Sequence, residues 1–287
     1  MAVPDIPDAP RETATEPAVP ERVYRHRLPT RLWHWVNAVT LLVLLMSGLM
    51  IFNAHPRLYW GQYGANHDHA WLEIGSTRDA GYLRVGSWKV ETTGVLGRWT
   101  DGEGTTQRWA FPGWATIPTS YDLADGRRWH LTFAWLLAIA LTLYMLWTAF
   151  GGHLARDLHV RRREWSARHI WRDIQDHARL RFPTGEAAAR YNILQKFSYI
   201  GVIFGLLPLM IFTGLTMSPG FNATAPWLLD LFGGRQSARS LHFLAAAGLV
   251  GFALVHVVMV LLAGPYNEVR SMISGRYRLP RDKGQRR

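Results

Sequence analysis

Four stretches of this sequence carry no charged side chain over the whole length needed to cross a bilayer: residues 32–52, 130–150, 197–217 and 242–263. Each runs to about 21 residues, which in a helix rising ~1.5 Å per residue spans the ~30 Å of a hydrocarbon core. Lipid offers the backbone no hydrogen-bond partner, so a lone crossing segment must close its bonds on itself and be helical. The expected fold is all-α and integral to a membrane, a bundle of four transmembrane helices.

The polar segments between these blocks set order and orientation. Residues 1–22, rich in Ala, Pro and Glu, read as a flexible tail without the apolar core of a cleaved signal peptide. A first helix is expected over 23–52, a long Trp- and Gly-rich connection over 53–129, and a second helix over 130–152. A basic connection over 153–190 leads to a third helix over 191–218. A link over 219–239 leads to a fourth over 240–263, and a basic tail fills 264–287. Arg22, Arg25, Arg27 and Arg31 precede the first helix, ten Lys or Arg lie within 151–196, and seven follow the fourth helix; 219–239 offers only Arg235 and Arg239. Short basic connections stay cytoplasmic. Both termini are therefore expected in the cytoplasm and the 53–129 insertion in the periplasm, with the chain in a bacterial inner membrane. Alternating residues around 82–90 predict a hairpin in that insertion, which is expected to cap the bundle and to offer a docking surface. The net charge of +11 is accounted for by arginines flanking the helices, so the lipid bilayer is the expected partner and nucleic acid is not.

No cysteine is present, which excludes disulfides, thiolate-held iron–sulfur clusters and covalently attached haem. Histidine remains as a metal ligand, and four lie in the apolar blocks: His34, His130, His242 and His256. A ring with two polar nitrogens is costly against lipid and is expected to face the bundle interior. With alternating helix directions, His34 and His256 fall toward the cytoplasmic face, His130 and His242 toward the periplasmic one. The fourteen-residue step from His242 to His256 is just short of four helical turns, so both rings share one stripe roughly 21 Å apart. Two levels result, each with one histidine from an early helix and one from the last. They predict two b-type haems, one held by His130 and His242, the other by His34 and His256. Such ligation leaves no open position on iron, so these haems would carry electrons and not bind oxygen.

A weak internal repeat runs through the same blocks. LLMSGLMIF (44–52) matches LMIFTGLTM (209–217), and Arg31, Arg127 and Arg239 each stand three residues before one of the histidines. This self-similarity suggests two helical hairpins around a common interior. Gly48 and Gly214, matched within the repeat, are expected to admit either a flat macrocycle or a neighbouring helix. The arginines are placed for charge-assisted bonds to haem propionates, the alternative being lipid phosphate at the helix ends. Trp33, Trp35, Trp129 and Phe243 are expected beside the rings.

With these residues in view, the sequence resembles the four-helix di-haem cytochrome b family. Its members are the membrane subunits of formate dehydrogenase (gamma) and nickel–iron hydrogenase and the thiosulfate reductase type. The likeness covers the four helices. It rests on RLWHW (31–35), on the step from His242 to His256, and on RYNILQKFSY (190–199), similar to an Asn-x-x-Gln-Lys segment near the quinone in the formate dehydrogenase subunit. The resemblance implies a quinone substrate beside the cytoplasmic haem. Asn192 would be its hydrogen-bond donor, with Gln195 and Lys196 nearby and Asn37 within reach; a plain polar helix start is the alternative for these residues. The long Trp-rich insertion departs from the formate dehydrogenase and hydrogenase subunits. It favours the cytochromes associated with molybdenum-containing oxidoreductases of sulfur compounds.

The expected function is thus a membrane electron-transfer subunit without catalytic residues of its own. It would link the quinone pool to a periplasmic, molybdopterin-dependent oxidoreductase subunit in a respiratory chain. Two rivals stand beside it: a self-contained membrane quinone oxidoreductase such as a superoxide oxidase, and a non-haem transporter using the histidines as a proton relay.

Overall fold

The computed structural model describes residues 22–151, 166–179 and 193–279. The tail before Arg22, most of the basic connection over 153–190, Asn192 and residues 280–287 lie outside the described residues. A short strand β1 (Arg22–Tyr24) leads into α1 (Leu28–Phe52), which carries Pro29 in its first turn and runs unbroken to the insertion. The second span is α2 (Leu123–Phe150). Asp122 caps it, its carboxylate accepting from the backbone N–H of Ala124 at 2.9 Å and of Asp125 at 3.0 Å. This cap starts the helix earlier than the hydropathy boundary at 130, so His130 sits inside α2 and not at its edge.

After α3 (Ala167–Ala178) comes the third span, built in three parts: α4 (Ile193–Ile200), a π turn over Gly201–Leu206, and α5 (Leu207–Thr216). Pro208 explains the wide turn. Its ring has no N–H to donate and crowds the carbonyl one turn back, and a local widening relieves both. Two short helices, α6 (Pro219–Thr224) and α7 (Pro226–Leu231), fill the link to the last span, α8 (Arg235–Ala263). Gly264, at φ +111°, breaks α8, and Pro265 opens the short amphipathic α9 (Pro265–Ser274). Four helices, Leu28–Phe52, Leu123–Phe150, Ile193–Thr216 and Arg235–Ala263, are long and apolar enough to cross a membrane.

The insertion between α1 and α2 is a folded unit. Strands β2 (Arg57–Leu58), β3 (Leu72–Ser76), β4 (Gly81–Val85) and β5 (Trp88–Glu91) form one antiparallel sheet in sequence order, and β6 (Trp99–Thr100) pairs with β7 (Thr106–Gln107). The hairpin expected around 82–90 is β4–β5, turned by Gly86 at φ +58°. Asn53, just past α1, brackets this unit: its amide donates to the Phe111 carbonyl at 3.3 Å and accepts from the Phe111 N–H at 2.8 Å. At the opposite end of the bundle, β1 pairs with β8 (Arg276–Arg278), bringing the two ends of the described chain side by side. His26 is buried there.

Between the two ends lies a single apolar cluster of Leu44, Leu137, Leu141, Tyr144, Ile203, Leu207 and Leu249, drawn from all four spans. Leu249 lies on α8 midway between His242 and His256, on the stripe the two histidines share.

Candidate functional site

The four intramembrane histidines come together in two couples. His130 of α2 faces His242 of α8 with ring centroids 6.3 Å apart and planes inclined at 62°. His34 of α1 faces His256 of α8 at 6.2 Å and 61°. The first couple lies at the capped end of the bundle, the second at the end where β1 and β8 meet. Both geometries are nearly the same, as a repeated unit would produce.

This spacing has a chemical meaning. The two rings of each couple are close enough for both to reach one metal ion, whose bonds to histidine nitrogen run to roughly 2.0–2.1 Å. Two imidazoles alone are too few for a structural metal site, and no three metal-ligating side chains gather anywhere among the described residues. A pair of imidazoles without a third protein ligand among the described residues would suit a metal whose remaining ligands come with a macrocycle. The residues present fit haem b.

Each ring at the capped end is seated by the opposite helix of its own hairpin. The Nδ1 of His130 is 3.1 Å from Ser47 Oγ on α1, and that of His242 is 3.0 Å from Thr213 Oγ1 on α5. The adjoining glycines complete the seats: a Cβ on Gly48 would stand 3.3 Å from Cε1 of His130, and one on Gly214 would stand 3.4 Å from Cε1 of His242. Each glycine thus lets the imidazole of the neighbouring helix come close. Sequence reasoning missed Ser47 and Thr213. The signal was there, in the hydroxyl residue that precedes Gly in both copies of the repeat. At the other end, His34 Nδ1 is buried without a hydrogen-bond partner.

The aromatic neighbours differ from expectation. Trp35 meets the His34 ring edge-on at 5.1 Å, but Trp33 stacks on Tyr144 at 4.3 Å, Trp129 on Phe133 and Phe243 on Phe52. Phe252, one turn before His256 on the same helix, stacks on that ring at 5.9 Å. Neighbours in sequence point to different faces of a helix, whereas residues four apart share one.

The arginines also have their own places. Arg239 donates to the carbonyls of Arg57, at 3.0 Å, and His55. Arg31 donates to the carbonyl of Ile273 on α9. Arg127 is exposed on the first turns of α2. Among the residues expected near a quinone, Asn37 lies one turn after His34 with Oδ1 buried and without a partner. Lys196 is buried and Gln195 half-buried on the first turn of α4. Asn192 lies outside the described residues.

The insertion fastens the first turns of α8, which carries His242. The first N–H groups of α8 have no side-chain cap; those of Gln236 and Ser237 donate instead to the Gly61 carbonyl at 3.0 and 3.1 Å, and the Gly61 N–H returns a bond to Ser237 Oγ at 2.7 Å. Ser240 Oγ accepts from Trp71 Nε1 at 3.0 Å and donates to the Tyr59 carbonyl at 2.6 Å. The cap thereby sets the height and rotation of α8.

No solved structure matches the chain at a significant level. Among known sequences it is 24% identical over 232 residues to an Azospira oryzae protein named as a protein-methionine-sulfoxide reductase subunit, YedZ1, covering 81% of this chain and 87% of the relative. It is 24% identical over 273 residues to a Cupriavidus necator protein named as a nickel–iron-hydrogenase B-type cytochrome subunit, covering 90% and 88%. A protein of the same name from Azotobacter vinelandii is 23% identical over 247 residues, covering 83% and 79%. The family model for prokaryotic cytochrome b561 matches residues 25–275, from just after β1 to just after α9. The chain thus belongs to the prokaryotic cytochrome b561 family, as a membrane electron-transport protein of the b-haem class.

Proposed function

We propose that this protein is a di-haem cytochrome b subunit carrying electrons between the quinone pool and a periplasmic oxidoreductase across a bacterial inner membrane. The observation that carries the reading is the pair of opposed histidine couples, with centroids 6.3 and 6.2 Å apart. Haem b, when bound, supplies a one-electron iron couple at each level. His130 and His242 would grip it under the cap, His34 and His256 near the chain ends. The apolar cluster around Leu249 would separate the two levels and exclude water between them.

Basic residues at the chain ends favour the cytoplasm for that side, which puts the cap in the periplasm. Arg127 is proposed at a haem propionate. Arg31 and Arg239 are proposed mainly as fasteners, given the carbonyls they already hold. The buried oxygen of Asn37, one turn from His34, suits a quinol hydroxyl, and Asn192, Gln195 and Lys196 are proposed as the remaining polar wall of that pocket. The cap exposes Trp60, Tyr63, Trp88 and Trp114, residue types that enrich protein interfaces. With one relative named for methionine sulfoxide and two for hydrogenase, a molybdopterin-dependent oxidoreductase of sulfur compounds is the partner proposed for this surface.

The test is haem stoichiometry in the purified chain. The expected result is two haems b per polypeptide, reducible by a quinol. A reduced-minus-oxidised spectrum without b-type bands ends the proposal. In His256→Ala one haem should be lost and the other kept; retention of both overturns the pairing.

A further inference from the structure

We infer that Ser47 and Thr213 are positioning residues that hold His130 and His242 as the Nδ1–H tautomer and make each a more basic ligand through Nε2. The inference rests on the di-haem reading of these two histidines.

The hydroxyl protons decide the tautomer. Ser47 Oγ lies 2.7 Å from the Val43 carbonyl and Thr213 Oγ1 lies 2.6 Å from the Leu209 carbonyl, each one turn back along its own helix. A hydroxyl has a single proton, and in both cases that carbonyl takes it. The oxygen then meets the imidazole only as an acceptor, so Nδ1 must be the protonated nitrogen at 3.1 and 3.0 Å. The lone pair is left on Nε2, the nitrogen available to a metal.

An imidazole that donates from Nδ1 gains electron density at Nε2, which favours the ferric over the ferrous state of a bound iron. The arrangement occurs twice, once in each hairpin, and both times beside a glycine that seats the ring. It does not occur for His34, whose Nδ1 is buried and unpartnered. The two hydroxyls therefore act on one level of the bundle, under the cap.

The test uses Thr213→Val, which keeps shape and removes the hydroxyl, and Thr213→Ser, which keeps the hydroxyl, each read by redox titration of the b-type absorption. Combining them with His256→Ala leaves only the capped-end haem to be read. Thr213→Val should move its midpoint potential upward and Thr213→Ser should restore it; Ser47→Ala and Ser47→Thr should behave as a matching pair. Loss of the haem in Thr213→Val with recovery in Thr213→Ser gives the same conclusion. An unmoved midpoint in Thr213→Val, or loss of haem in both Thr213 variants, overturns the inference. Failure of the di-haem reading is separately visible, as absent b-type bands in the parent chain.

Discussion

The imidazole of His130 lies against the backbone of α1 at Gly48, where an added Cβ would stand 3.3 Å from its Cε1. That distance is tighter than an ordinary contact but short of a collision. Gly48→Ala is expected to displace the ring by a few tenths of an ångström and to broaden or shift the b-type absorption without lowering the haem content proposed for the chain, since alanine also favours the helix by up to about 1 kcal/mol. Gly48→Val is expected to remove the haem proposed at His130 and His242. Haem content per polypeptide separates the two outcomes, and full retention in the valine variant would contradict the seat.

Ser240 joins α8 to the cap by accepting from Trp71 and donating to the Tyr59 carbonyl, and it is fully buried. Ser240→Ala leaves both partners without a bond, at a cost of about 1–3 kcal/mol for each. We expect the cap to become sensitive to protease in detergent and the haem proposed at His130 and His242 to dissociate at lower temperature, with the His34–His256 level little changed.

Glu73 is the buried charge of the cap, 5% exposed, bonded by Arg57 at 2.7 Å, Tyr82 at 3.0 Å and Arg84. Burial alone would raise its pKa, but the hydrogen bonds of Arg84 and Tyr82 and the charge of Arg57 carry it below the ordinary carboxylate value. A carboxyl with a depressed folded pKa contributes stability that is fully present above its unfolded value of about 4.3 and is lost as pH falls through the folded value. Protease resistance of the cap should therefore be flat from neutrality to about pH 5 and decline below about pH 4. Glu73→Gln should weaken the cap at pH 7, because two arginines lose their counter-charge, and should flatten the acid step.

Gly275 turns α9 into β8 with φ +80°, and a Cβ there would come within 2.6 Å of Tyr24 and 2.9 Å of the His26 carbonyl. Gly275→Ala is expected to part β1 from β8. Hydrogen exchange should then quicken at Arg25, whose N–H donates to the Gly275 carbonyl at 2.8 Å, while protection in the middle of α8 stays unchanged.

Sequence alone determined the four spans and the facing of the histidines, because lipid forbids uncompensated charge and helical pitch is constant. Fourteen residues between His242 and His256 say where two rings point whatever surrounds them. The same rules could not reach the residues that touch those rings. Ser47 meets His130 across two helices, and Gly61 supplies the first bonds of α8 from the far side of the sequence. Hydrogen bonds of that kind depend on how separate helices are rotated and stacked, and local periodicity does not encode rotation. Tertiary structure alone decided them, since a buried N–H or hydroxyl takes whichever partner packing brings within about 3 Å.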